Sequence, residues 1–121
     1  MCFGNPVKKF QFLTNSTVVM AYFGSNVVID CGTNKKGASV TLWKRVSPLL
    51  PYHYRKLKPD GNKIIKEKSG KFTINRVDKN DALSYRCKAK ASGVHIQKDF
   101  SVVINNCKCM VFDFLESIYN D

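Results

Sequence analysis

Short apolar alternations, punctuated by turn residues, run along almost the whole chain, and a period of two predicts strands and not helices. Residues 7–11 and 17–21 read as a first strand split by Leu13-Thr14-Asn15-Ser16, after which Gly24-Ser25 turns the chain into residues 26–31. Val27, Ile29 and Cys31 share one face of that strand. Residues 40–46 carry the only tryptophan, Trp43, and Ser47-Pro48-Leu49-Leu50-Pro51 breaks the pattern with two prolines. Residues 54–57 and 63–66 are short and heavily charged, as edge strands are when they must refuse a neighbour. Residues 71–77 turn Phe72 and Ile74 inward, and 83–90 and 95–104 flank Ala91-Ser92-Gly93-Val94, a connection suited to a hairpin. About eight strands at this spacing, with no internal repeat, predict an all-β sandwich.

The 121 residues are enough to bury one core and not two, so one domain is expected. It is read as residues 1–106, with 107–121 as a C-terminal tail or linker. A hydrophobic fraction of 44% with 24% charged residues excludes disordered and collagen-like classes. No stretch approaches the roughly 20 apolar residues of a membrane helix. Met1-Cys2-Phe3-Gly4-Asn5-Pro6 lacks the basic start and apolar run of a secretory signal, so any leader or anchor is expected outside these residues.

One combination of residues is specific. Cys31 is followed twelve positions later by Trp43, then by Phe72-Thr73-Ile74-Asn75-Arg76-Val77 and Asp78-Lys79-Asn80, leading to Asp81-Ala82-Leu83-Ser84-Tyr85-Arg86-Cys87. This pattern resembles the immunoglobulin superfamily, in particular its I-set and C2-like members, over residues 7–104. The resemblance implies an immunoglobulin-like sandwich of two antiparallel sheets, with Cys31 and Cys87 bridging them. It implies Trp43, Tyr85 and Asp81 as core anchors, Trp43 packed on the sulfurs and Tyr85 holding the corner before its strand. Leu83 departs from the family, which usually places Gly or Ala there. A bridge closing that loop restricts the unfolded chain by about 4 kcal/mol in the chain-entropy model, and stable disulfides belong to secreted or cell-surface proteins. The sequon Asn15-Ser16-Thr17 is a candidate glycosylation site in the same compartment.

Three of the five cysteines remain: Cys2, Cys107 and Cys109. In the implied sandwich the chain enters at one end and leaves at the other, too far for the roughly 4 to 7 Å that a disulfide needs between Cα atoms. Cys107-Lys108-Cys109 has one intervening residue and no nearby histidine, so no metal site is expected. An interchain or interdomain disulfide, including a dimer through Cys107 or Cys109, and free thiols both stand as readings. In the tail, apolar residues at 111, 114, 115 and 118 form a helical stripe. It reads either as a dimer contact or lead into a further domain, or as an unstructured end.

Charge changes the picture of partners. Twenty Lys and Arg against nine Asp and Glu give a net +11. Between Thr33 and Lys71, eleven basic residues stand against only Asp60 and Glu67, an excess of nine. With Cys87 and Tyr85 inward, alternation sends Ser84, Arg86, Lys88 and Lys90 outward, on the sheet expected to hold an outward Lys44 beside an inward Trp43. The candidate anion-binding residues are Lys44, Arg55, Lys56, Lys58, Lys63, Lys66, Lys68, Arg86, Lys88 and Lys90. Such a field attracts sulfated polysaccharide, acidic protein or an anionic membrane, and a solvated Lys-rich surface is the plain alternative.

Catalytic readings lack parts, since His53 and His95 lie in no nucleophile, metal or phosphate-cradle motif; no enzyme activity and no cofactor are expected. Nucleic-acid binding would need a base-reading element or stacking platform that is not evident. Two functions stand. One is an extracellular receptor or adhesion ectodomain that recognises a protein, attached to a membrane only through an anchor outside these residues. The other is a secreted ligand or soluble decoy receptor held by heparin-like glycosaminoglycan.

Overall fold

Alternation of apolar side chains organises residues 9–105, the part of the chain that this computed structural model describes, into eight strands and one 3-10 turn. They are β1 (Val18–Tyr22), β2 (Val27–Asp30), β3 (Ser39–Ser47), β4 (Leu50–Lys56), β5 (Ile64–Lys66), β6 (Lys71–Ile74), β7 (Leu83–Ala91) and β8 (Val94–Asn105), with the turn at Lys79–Asp81 before β7. One sheet has the order β1-β8-β7-β3-β4 and the other β2-β6-β5. β1 runs parallel to β8, and the remaining pairings are antiparallel. The fold is the expected two-sheet sandwich, and the charged strands β4 and β5 are sheet edges as predicted.

Ile29, Leu42, Phe72, Ile74, Val77, Tyr85 and Phe100 meet between the sheets, each almost wholly buried. Cys31 and Cys87 are bonded in their midst, with Cα atoms 5.7 Å apart. At Ser92 and Gly93, φ values of 50° and 78° close β7 onto β8 in two residues, and Ala91 pairs with Val94.

The register corrects the placement of Trp43. Leu42 pairs with Cys87 and is fully buried, in phase with Val40, so Trp43 lies opposite Arg86 on the outer face. Strand side chains alternate with period two, so one residue of phase exchanges core for surface. Leu42 takes the core position expected of Trp43. The same phase turns Lys44 inward, where it had been expected outward.

Two boundaries also differ. The break expected at 47–51 narrows to Pro48 and Leu49, and β4 runs through Pro51 because an edge strand has an open side on which a missing N–H costs no ladder bond. The first half of the split strand is represented by a single bridge, Phe12 with Thr33, and by buried Phe10. Val7, Lys8, Cys2, Cys107, Cys109 and the apolar stripe of the tail lie outside the described residues.

The corner before β7 is built as the motif implied. The Tyr85 hydroxyl donates to the Asp81 backbone oxygen at 2.6 Å, and burial, reinforced by Asp81 and Asp78, pushes its pKa up. The Asp81 carboxylate accepts from the Asp78 N–H and from Lys63 Nζ, both at 2.8 Å. The Asp78 carboxylate accepts from the Asn80 N–H at 2.8 Å, completing a capping box. Leu83 follows with φ 104°, a conformation that favours glycine, which accounts for the small residue usual at this position of the resembled pattern.

A candidate ligand-binding face

The outer face of the five-stranded sheet gathers cations between aromatic rings. β3 contributes Thr41, Trp43 and Arg45, and β7 contributes Arg86, Lys88 and Lys90, because the alternate positions of both strands are committed to the core. On the edge strand, Lys56 pairs with Trp43 and Tyr54 with Arg45. Lys88 Nζ lies 3.9 Å from the Trp43 ring centroid, and the Arg86 guanidinium 4.2 Å from that of Tyr54. Contacts at this range are worth about 0.5 to 2 kcal/mol each, depending on desolvation. Arg86 is also held by Asp99 at 2.7 Å, and that hydrogen bond keeps the guanidinium pKa above its ordinary value. The Trp43 indole N–H donates to Thr41 Oγ1 at 2.9 Å, which fixes the ring orientation.

At one end of this face, Ser39, Thr41, Lys88, Lys90, His95 and Gln97 surround an open depression of about 490 Å³, together with Ala89 and Ile96. Among the described residues no carboxylate lines it. Hydroxyls, an amide, an imidazole and two ammonium groups form a polar basin able to accept an anionic group. Toward β1 the same face becomes apolar, with Met20 paired to Val103 and both exposed.

The ten basic residues singled out in the sequence do not form one surface. Lys56, Arg86, Lys88 and Lys90 lie on the sheet face. Lys44 is half-buried beneath it, its Nζ donating to the Asn80 backbone oxygen and lying 5.7 Å from the Tyr85 ring centroid. Burial lowers its pKa, offset in part by Asp81. Arg55 pairs with Lys44 on the edge strand. Lys63 is engaged by Asp81 and the Arg76 backbone oxygen. Lys66 closes the flank of the sandwich, reaching from β5 to the Val40 oxygen at 2.8 Å and lying over Phe72. Lys58 and Lys68 are exposed in connections, and Lys68 lies beside Glu67. The expected continuity between the sheet face and the Lys-rich middle segment is therefore broken at Lys44, Lys63 and Lys66.

Sequence reasoning left out Arg45, Tyr54 and His95. The signal for Tyr54 was present, since Tyr54 and Lys56 alternate along the edge strand. Asn15, the candidate glycosylation site, is exposed in the segment before β1.

No family model and no curated protein matches the chain. Solved structures resemble it in fold. The neural ectodermal development factor IMP-L2 superposes with a TM-score of 0.69 at 16% identity, over 84% of this chain and 46% of that one. The N-terminal eight Ig domains of Down Syndrome Cell Adhesion Molecule give 0.68 at 10% identity, over 82% and 15%. Extracellular domains 3–5 of Drosophila OTK give 0.59 at 17% identity, over 80% and 32%. The chain spans less than half the length of each. These likenesses establish the immunoglobulin fold.

Proposed function

We propose that this domain is an extracellular immunoglobulin-like binding module of a cell-surface receptor or adhesion protein, and that it recognises a protein through the outer face of its five-stranded sheet. The observation that carries the reading is the interleaving of Trp43 and Tyr54 with Arg86 and Lys88 on one face. Tyr, Trp and Arg dominate the energetics of protein interfaces, because they combine a large contact area with a polar handle. The apolar border at Met20 and Val103 adds area to that face. The disulfide favours an oxidising compartment. Two of the similar structures are, by their names, a cell adhesion molecule and a set of extracellular domains.

The experiment is a binding screen of the multimerised domain against arrayed ectodomains, with Trp43→Ala and Tyr54→Ala in parallel. A partner whose binding falls about tenfold or more in both variants supports the reading. A partner indifferent to both places recognition elsewhere on the domain.

A second reading is favoured by the basin between Lys88, Lys90 and His95, which no carboxylate among the described residues lines. It suits a sulfate group of a heparin-like glycosaminoglycan, in keeping with a secreted ligand or soluble decoy receptor.

A further inference from the structure

The hairpin joining β3 to β4 bears the two most exposed large apolar side chains among the described residues. Tyr52 is 90% and Leu49 88% exposed, and the same hairpin also carries Val46 at 57% and Leu50 at 44%. Apolar groups gathered on a protrusion mark contact with another apolar phase. The polar groups of the turn are largely consumed internally. Arg45 Nε donates to the Ser47 oxygen at 3.1 Å and Arg45 Nη2 to the Pro48 oxygen at 2.5 Å. The Leu49 N–H donates to Ser47 Oγ at 3.2 Å, and Pro48 and Pro51 have no N–H to satisfy. The Ser47 and Pro48 oxygens and the Leu49 N–H at the tip are thus paired, while the open side of edge strand β4 behind them suits the polar headgroup layer.

At the base of this hairpin lies a depression of about 330 Å³ lined by Lys44, Arg45, Arg55 and Lys79, with Val46, Asn80 and Leu83. Among the described residues no carboxylate lines it. Asp78 and Asp81, the carboxylates that act on Lys44, are engaged by the Asn80 N–H and by Lys63 respectively. The end of the sandwich thus presents an apolar tip with a ring of cations behind it. A second copy would bring ring against ring. A protein groove would have to match the tip in shape, whereas a bilayer requires only an apolar tip and cations at headgroup depth.

We propose that this end of the domain is a peripheral membrane contact: Leu49, Leu50 and Val46 enter the acyl boundary, Tyr52 lies at the interface, and Arg55 and Lys79 engage anionic lipid headgroups. The contact borders the sheet face, sharing Arg45 with it, and acts where an extracellular membrane surface exposes anionic lipid.

The test is co-sedimentation of the full chain with phosphatidylcholine vesicles, with and without phosphatidylserine. Binding to the anionic vesicles is expected, and Leu49→Ser combined with Leu50→Ser should weaken it about tenfold or more. Arg55→Glu with Lys79→Glu should remove the dependence on phosphatidylserine, and Lys71→Glu, on β6, should leave binding unchanged. Failure to bind, or binding retained by the double serine variant, overturns the proposal. A second measurement is independent of loss-of-function variants. Leu49→Trp should shift its emission to the blue on vesicles and be quenched by brominated lipid, and an unshifted emission from bound protein overturns insertion of the tip.

Discussion

Lys88 lies across the ring of Trp43 with its ammonium 3.9 Å from the centroid, while Leu42, the preceding residue on the same strand, is fully buried opposite Cys87. Adjacent positions therefore serve opposite purposes, one facing a ligand and one filling the core. Leu42→Ala should lower stability by about 2 to 5 kcal/mol, because the tightly packed surroundings cannot collapse into the vacated volume. Trp43→Ala should cost only about 1 to 2 kcal/mol, from a cation–π contact and partial burial. Urea titration of the two variants measures the difference, and equal losses would make Trp43 a core residue after all.

Tyr85 makes stability depend on pH at the alkaline end. Its folded pKa is raised by burial above the ordinary value of 10, so between those values the folded state keeps a proton that the unfolded state releases. The contribution is complete below pH 10 and is lost as pH rises through the folded pKa. Thermal melts should show stability falling above pH 10, with Tyr85→Phe flattening that fall. Lys44 acts in the opposite sense, since its pKa is lowered by burial and stability rises with pH as the penalty for its charge disappears. A Tyr85→Phe profile as steep as that of the parent would assign the alkaline loss to other groups.

Gly70 and Leu83 both adopt positive φ, with opposite consequences. Gly70 has φ 94°, and an added Cβ would lie 3.0 Å from the Cα of Gly32, whose backbone cannot yield. Gly70→Ala should therefore cost about 2 kcal/mol or more, from backbone strain plus the clash. Leu83, at φ 104°, holds a comparable strain without a glycine to relieve it. Leu83→Gly should raise stability by about 1 kcal/mol, the strain relieved less the packing and entropy lost. Differential scanning calorimetry of the two variants should shift Tm in opposite directions.

These residues also mark what the chain discloses before it folds. Cys31, Tyr85, Asp81 and Cys87 were legible because their roles depend on fixed offsets along one corner and one strand. The face occupied by Trp43 was not, because counting from Cys31 crosses a loop and the register of β3 against β7 fixes the phase. Charge was misleading for a related reason. Lys44, Lys63, Lys66 and Lys98 each donate to a backbone oxygen, of Asn80, Arg76, Val40 and Thr14 respectively. Their stems close the margins of the sandwich while their ammonium groups satisfy backbone, so they count in the net charge without belonging to a binding surface.

That division sharpens the expectation for sulfated glycan. A polyanion needs converging cations whose ammonium groups are not spent on carboxylate or backbone oxygens, and Lys88, stacked on Trp43, and Lys90 line a basin without a carboxylate among the described residues. Lys63 and Lys66 do not qualify, being held by Asp81 and by the Val40 oxygen. Lys88→Glu combined with Lys90→Glu should release the domain from immobilised heparin at clearly lower salt than the parent. Lys58→Glu combined with Lys68→Glu makes the same change in net charge at dispersed, exposed positions and should shift elution much less. Salt should weaken retention throughout, because exposed charges are screened over about 8 Å at physiological ionic strength. Charge reversal at Lys63 and Lys66 should instead appear in the melting temperature, since each would abandon a partner inside the fold. Equal elution of the two exposed double variants would mean that the column reads bulk charge, leaving the protein-binding face as the sole reading of this sheet.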